Sequence, residues 1–318
     1  MHVGMNERER IAMLARVLGV AEAGLANGIE VGIGDDAAVL QGTTRRLVWT
    51  IDEQVEGTHF RRDLASWRSI GWRSTMAAAS DLAAMGAKPW CALAALVLPD
   101  DVDDHALEAI AHGQRDAASA IHASVVGGNL SRGPTLSIAT TWLGTCERAV
   151  TRSGARPGDG VWMAGALGLA AAGLRALETG RGLDARFADA IRAWREPRAL
   201  IAEGLAMAGI ANAAVDVSDG LASDAAHVAE ASQAQIVLFE AALAEDPALA
   251  TVAAWLDATP LDLALHGGED YAIVATSPSP IPGFRRIGEV RPGEGLRIEG
   301  PLGGRALEPR GFDHFAPR

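Results

Sequence analysis

A chain of 318 residues is long enough for two domains, each with its own core. With 28 Lys and Arg against 40 Asp and Glu its net charge is −12, which excludes a protein that grips bare nucleic-acid phosphates; any phosphate it binds arrives with a divalent cation. Apolar residues at 49% and charged ones at 21% describe an ordinary globular protein, and the longest apolar run, Trp90 to Leu98, is too short for a membrane span.

Asn6 followed by Glu9 is a capping-box pattern, and Ile11, Leu14, Ala15 and Leu18 then share one stripe, so a short helix opens the chain. This polar start does not read as a secretory signal. Arg46 to Ile51 reads as a strand, Ser66 to Met85 as a long helix and Cys91 to Leu98 as a buried strand. Asp103 to His122 follows as a helix and Thr135 to Leu143 as another strand. Cys91 and Cys146 both lie in apolar stretches, which predicts reduced core thiols and a cytoplasmic protein. The cluster of Gly, Pro and charge at Arg152 to Gly160 marks a boundary between an N-terminal domain, 1–148, and a C-terminal domain, 149–318. Beyond it come a strand at Val161 to Ala164, Ala-rich helices to Gly209, a strand into Asp216 and a helix from Asp219. Strands at Gln235 to Phe239, near Tyr271 to Thr276 and at Arg285 to Val290 complete the chain. Strands and helices are intermixed, which predicts an α/β fold with mixed sheets.

The informative pattern is where the acids fall. Asp35, Asp36, Asp52, Asp81, Asp216, Asp219, Glu269 and Asp270 stand where predicted strands end or tight turns begin, many beside glycines. Carboxylates so placed can be gathered into one site, where they repel one another unless a cation joins them, and Mg²⁺ prefers such oxygen ligands. As a set they predict a polyphosphate and Mg²⁺ site. Gly32, Gly34 and Ala37 match a dinucleotide-binding fingerprint, but only Ala37 to Leu40 precede Gly42, leaving no room for the helix it needs. No P-loop and no nucleophile elbow occurs, and the eight histidines lack zinc-site spacing.

Read in order, eight segments carry a family likeness: GIGDDAAVL at Gly32 to Leu40, Asp52 to Phe60, SDLAAMGAKP at Ser80 to Pro89, GGNLSRGP at Gly127 to Pro134, TRSGARPGD at Thr151 to Asp159, DVSDGLASD at Asp216 to Asp224, GGEDY at Gly267 to Tyr271 and GFDHF at Gly311 to Phe315. Together they resemble the thiamine-monophosphate kinase family, a branch of the aminoimidazole-ribonucleotide synthetase superfamily. The resemblance implies two α/β domains, a homodimer joined through the N-terminal sheets, and ATP bound with several Mg²⁺ ions without a P-loop. The implied reaction moves the γ-phosphoryl group of ATP onto the phosphate of thiamine monophosphate, with no enzyme nucleophile, no nucleic acid and no membrane involved. By match to the family motifs, Asp36, Thr50, Asp52, Asp81, Asn129, Asp216 and Asp219 are implied metal-site residues. Gly128, Asn129, Arg152 and Ser218 are implied ATP contacts, and His59, Glu269 and Phe312 the acceptor site.

Departures from the family pattern cluster near that site. The family reads T-D where this chain has Ile51-Asp52, G-G-D at Gly127 to Asn129, N-L-S-D at Ala78 to Asp81, and a further acid at Ala272. In the family the positions of Ile51, Asp52 and Asn129 serve one ion, so the resemblance implies that this metal is weakened here. Two alternatives accompany the kinase reading: a paralogous kinase acting on another small phosphomonoester, and a catalytically impaired nucleotide-binding homologue.

Overall fold

In the computed structural model, which describes residues 5–19, 28–31, 33, 37–244 and 246–312, the chain forms two units. One comprises Met1–Leu82 with Lys88–Glu147 and the other Ala83–Ala87 with Arg148–Arg318. The short strip Ala83–Ala87 joins the second unit because Ala83 packs in an apolar cluster with Val150, Met207 and Ile273, and Val150 N–H donates to Met85 O at 3.1 Å. Among the described residues no helix is long and apolar enough to cross a membrane.

The first unit opens with α1 (Glu7–Leu18), whose capping box closes as expected: Glu9 N–H donates to Asn6 Oδ1 at 3.0 Å and Asn6 N–H to Glu9 Oε2 at 2.7 Å. Its buried stripe is Met13, Val17 and Leu18, one position round from the predicted one, and Ile11 faces out. Two short strands, β1 (Ile29–Val31) and β2 (Val39–Leu40), pair antiparallel, and among the described residues Val39 and Leu40 are strand where the dinucleotide fingerprint would need a helix. Then come β3 (Arg46–Val55), α2 (Trp67–Ala84), β4 (Lys88–Leu98), α3 (Asp104–Ala120), β5 (Ser124–Arg132) and β6 (Ser137–Cys146). They make a four-stranded sheet in the order β3-β6-β4-β5, in which only β4 and β5 run parallel.

One face of this sheet is covered. Trp142, fully buried, sends its indole N–H to Thr75 O of α2 at 3.0 Å, with Leu82, Leu107, Ile110, Leu136 and Ile138 also buried in this unit. The other face, carrying Leu47, Trp49, Ile51 and Leu93, is open, at 56%, 75%, 68% and 40% exposure. Because side chains alternate along a strand, Val48 and Gln54 of the same β3 strand are buried. Both cysteines are free and buried, and burial pushes the Cys91 thiol up to about 11.

The second unit is built on a seven-stranded mixed sheet: β7 (Gly160–Ala164), β8 (Ala213–Val217), β9 (Gln235–Phe239), β10 (Ala272–Ser277), β11 (Arg285–Arg291), β12 (Gly295–Gly300) and β13 (Gly303–Ala306). Their order is β13-β12-β9-β11-β7-β10-β8, with β9 and β12 the parallel pair. Between them lie α4 (Leu169–Glu178), α5 (Ala188–Arg195), α6 (Ile201–Met207), α7 (Leu221–Ser232), α8 (Glu240–Ala244), α9 (Pro247–Ala253) and α10 (Pro260–His266). Short apolar strands such as AAVDV and QIVLF are buried through most of their length, the pattern of strands covered on both faces.

Candidate functional site

Strand β8 ends in Asp216 and Val217, and the chain turns through Ser218, Asp219 and Gly220 before α7 begins. Asp224, in the first turn of α7 and 2% exposed, accepts the N–H groups of Ser218 at 3.0 Å and Asp219 at 3.1 Å, which fixes the turn. Burial pushes the Asp224 carboxyl up to about 7, and the nearby charges of Asp216 and Asp219 push the same way. Three carboxylates thus lie close together at this turn, and burial and mutual charge both disfavour ionisation of Asp224.

The GGEDY loop lies against this turn. Glu269 N–H donates to Ser218 O at 2.7 Å, Tyr271 N–H to Val217 O at 2.8 Å and Phe312 N–H to Asp219 O at 3.2 Å. Glu269 and Tyr271 hold φ of 56° and 50°, in the left-handed region that non-glycine residues rarely adopt. Gly268 precedes them at φ 71°, where a Cβ would sit 2.9 Å from Ser218 O, so glycine permits the close approach. Asp270 points the other way: its carboxylate accepts Gly168 N–H at 2.6 Å and Ala170 N–H at 3.3 Å, at the start of α4. Burial pushes its carboxyl up to about 7.

Ser218, Asp219, Glu269 and Phe312 are therefore brought together by main-chain hydrogen bonds, with Asp216 on the strand that feeds the turn and 6% exposed. Phe312 is half exposed. Arg152 is exposed, on a loop fastened by Ala214 N–H to Thr151 O at 2.9 Å and by the Ser232 hydroxyl to Arg152 O at 3.1 Å.

In the first unit Thr50 donates its hydroxyl to Asp81 of α2, and Gln54 Nε2 donates to Asp52 Oδ2 at 3.3 Å. Two of these acids are not at chain turns as the sequence suggests. Asp52 is inside β3, which runs on to Val55 because Gln54 is buried and Val55 still pairs with Ser137, and Asp81 is inside α2. His59 follows a tight turn after β3, and its Nδ1 accepts Val55 N–H at 2.9 Å, which leaves the neutral ring's proton on Nε2. Gly128 lies so close to β4 that a Cβ would meet Ala94 O at 1.8 Å.

Asn129 pairs with Ala95 on β5 and shares the open face with Ile51, but the two occupy opposite edge strands. Three strand spacings of about 4.8 Å and an offset of two residues along the strands put them roughly 16 Å apart, and pleating turns the Asp52 side chain to the other face from Ile51. Within one chain, then, Ile51, Asp52 and Asn129 do not share an ion. Asp36 lies outside the described residues. Among the described residues no three His, Cys, Asp or Glu side chains converge into a ready metal cage.

Sequence reasoning passed over Trp194, whose indole N–H donates to Glu269 Oε2 at 3.0 Å. No motif flags it, since a lone Trp on an amphipathic helix reads as core.

The first unit falls in the AIR synthase related class: the family model described as "AIR synthase related protein, N-terminal domain" matches residues 34–146. Relatives narrow the class. A thiamine-monophosphate kinase of Aquifex aeolicus is 34% identical over 288 residues, 89% of this chain and 92% of that protein. A crystal structure of thiamine-monophosphate kinase from Stenotrophomonas maltophilia K279a is similar with TM-score 0.80 and 32% identity, over 92% of this chain and 95% of that one. A solved structure described as AaThiL complexed with AMPPCP and TMP is similar with TM-score 0.81 and 31% identity, over 98% and 100% of the two chains. The chain belongs to the thiamine-monophosphate kinase family.

Proposed function

We propose that this protein phosphorylates thiamine monophosphate: the γ-phosphoryl group of ATP passes directly to the substrate's phosphate, giving thiamine diphosphate and ADP. The observation that carries this reading is the junction of Glu269 N–H with Ser218 O at 2.7 Å and of Phe312 N–H with Asp219 O at 3.2 Å. It sets the residues assigned to nucleotide and metal beside those assigned to the acceptor, as direct transfer between two bound phosphates requires. The relatives named thiamine-monophosphate kinase, and the similar structure described with AMPPCP and TMP, support the same substrates.

Asp36, Thr50, Asp52, Asp81, Asn129, Asp216 and Asp219 are the residues that would hold Mg²⁺. When bound, Mg²⁺ neutralises polyphosphate charge and orients the transferring group. Gly128, Asn129, Arg152 and Ser218 are the residues assigned to the nucleotide, Arg152 by its charge. Phe312 offers a half-exposed aromatic face on which a flat ring can stack, and Glu269 accepts a hydrogen bond from the ring's amino group. His59 is the third residue that the family likeness gives to the acceptor. No side chain forms a covalent intermediate.

Two copies join through the open face of the first unit's sheet. Trp49 and Ile51 left in water forgo roughly 1.5–3 kcal/mol each that burial of such a side chain is worth, and a second copy covers them. The pairing also offers Asn129 an ion that it cannot share with Asp52 inside one chain. The buried unpaired thiols fit a reducing, cytoplasmic setting. Initial-rate assays of ATP against a panel of phosphomonoesters test the reading, with thiamine monophosphate expected to be the substrate that yields a diphosphate. Turnover of a different phosphomonoester alone would refute it.

A further inference from the structure

The GGEDY loop presents a problem that its own main chain does not solve. Main-chain hydrogen bonds fix the Cα of Glu269, yet a glutamate side chain beyond its Cβ has several rotatable bonds and keeps its carboxylate in one place only if something holds it. Trp194 does so. It is 1% exposed, it lies on α5, and its indole N–H, which can only donate, reaches Glu269 Oε2 at 3.0 Å.

The bracing of Trp194 returns to the same loop. Helix α5 packs along α4, and α4 begins at Gly168 to Ala170, whose N–H groups are held by the carboxylate of Asp270. Adjacent residues Glu269 and Asp270 thus grip one helix pair at two points, the first through an indole and the second through a helix start. The left-handed conformations of Glu269 and Tyr271 on either side of Asp270 send these two side chains in different directions. Strain of this kind persists where the surroundings over-determine it, and here two hydrogen-bonded anchors supply that constraint.

We infer that Trp194 is a positioning residue for the acceptor site: by engaging Glu269 Oε2 it fixes the carboxylate that the functional reading pairs with the acceptor's amino-bearing ring, and so sets the affinity for thiamine monophosphate and not for nucleotide. The inference rests on the functional reading above. It concerns recognition of the acceptor, and it adds no step to the transfer itself.

The test is Trp194→Phe, which keeps an aromatic ring in the core and removes only the N–H and part of one ring. The KM for thiamine monophosphate should rise roughly tenfold, the effect of losing one hydrogen bond to a charged group, while the KM for ATP and kcat at saturating acceptor stay within about twofold. In a Glu269→Ala background the same change should add little, because the partner is already gone. Calorimetric titration of thiamine monophosphate in the presence of AMPPCP should show the same loss of affinity without any turnover. An unchanged acceptor KM in folded Trp194→Phe protein, or equal losses for both substrates that add fully to those of Glu269→Ala, would overturn the inference and leave Trp194 as packing. Absence of both turnover and binding of thiamine monophosphate in the unmodified protein would instead contradict the functional reading, and the inference with it.

Discussion

In the second unit Asp216, Ser218, Asp219, Glu269 and Phe312 are drawn to one turn by main-chain hydrogen bonds and by the Asp224 and Trp194 side chains. In the first unit Thr50, Asp52 and Asp81 share the helix-covered face of a sheet, whereas Ile51 and Asn129 sit on its open face at opposite edges. The two groups obtain their geometry from different sources. Main-chain bonds keep the Cα positions of these acids in place when their own side chains are removed, so such a substitution takes away chemistry and leaves shape. Residues on an open sheet face depend on what covers that face, so substitution there acts through assembly as well.

The largest effect is expected at the backbone-fixed turn. Asp216→Ala should lower kcat by about two to three orders of magnitude and abolish nucleotide-dependent Mg²⁺ binding, while leaving thermal unfolding close to that of the unmodified protein. Kinetics, Mg²⁺ titration and a melting curve on one preparation check all three; Mg²⁺ binding that survives the substitution would break the assignment.

Next comes the open face. Trp49→Glu places a charge at the centre of the proposed pairing surface and should weaken dimerisation by at least about 30-fold, the cost of losing an aromatic hot spot. Sedimentation at micromolar concentration should move from dimer to monomer, with turnover falling in step. A strictly monomeric unmodified protein would remove the pairing altogether.

A smaller, opposite effect is expected from restoring oxygen ligands. An amide lacks the charge that a carboxylate brings to a Mg²⁺ shell, so Asn129→Asp with Ile51→Thr should raise the rate several-fold at limiting Mg²⁺ and little at saturation. Rates measured against Mg²⁺ for both proteins decide it. If Asn129 and the partner copy's half of the site cooperate, Trp49→Glu should erase the gain.

The smallest effect is on stability. A carboxyl raised to about 7 in the folded chain, as at Asp224 and Asp270, binds more protons folded than unfolded between about pH 4 and pH 7. Stability of the metal-free protein should therefore fall as pH rises through that window, by a few degrees in Tm. Added Mg²⁺ should recover more at pH 8 than at pH 5, because it neutralises the acids that are then ionised. Asp224→Asn should flatten the pH dependence.

Much of this was legible in the residues themselves. The Asn6–Glu9 cap, the apolar strand after Trp90 and the exclusion of a dinucleotide helix after Gly34 all follow from local chemistry, and local chemistry is what sequence displays. Strand β5 was not legible, because Gly127, Gly128 and Asn129 are poor strand formers that pair only where β4 offers a partner too close for a Cβ. The far end of β3 was hidden by the polar run Asp52 to Gln54, of which only Gln54 is buried. Of the site, the acids of the DVSDGL turn were legible as motif. Trp194 was not, since its link to Glu269 spans 75 residues and arises only from the packing of α5.

The central claim is that the acid turn and the GGEDY loop serve one direct transfer between two bound phosphates. Quantifying thiamine diphosphate and ADP formed from ATP and thiamine monophosphate at increasing Mg²⁺ tests it most directly. Equal amounts of both products are expected, appearing only with Mg²⁺, with loss of both in Asp216→Ala. ADP released without thiamine diphosphate, or thiamine diphosphate formed at the same rate by Asp216→Ala, would contradict it.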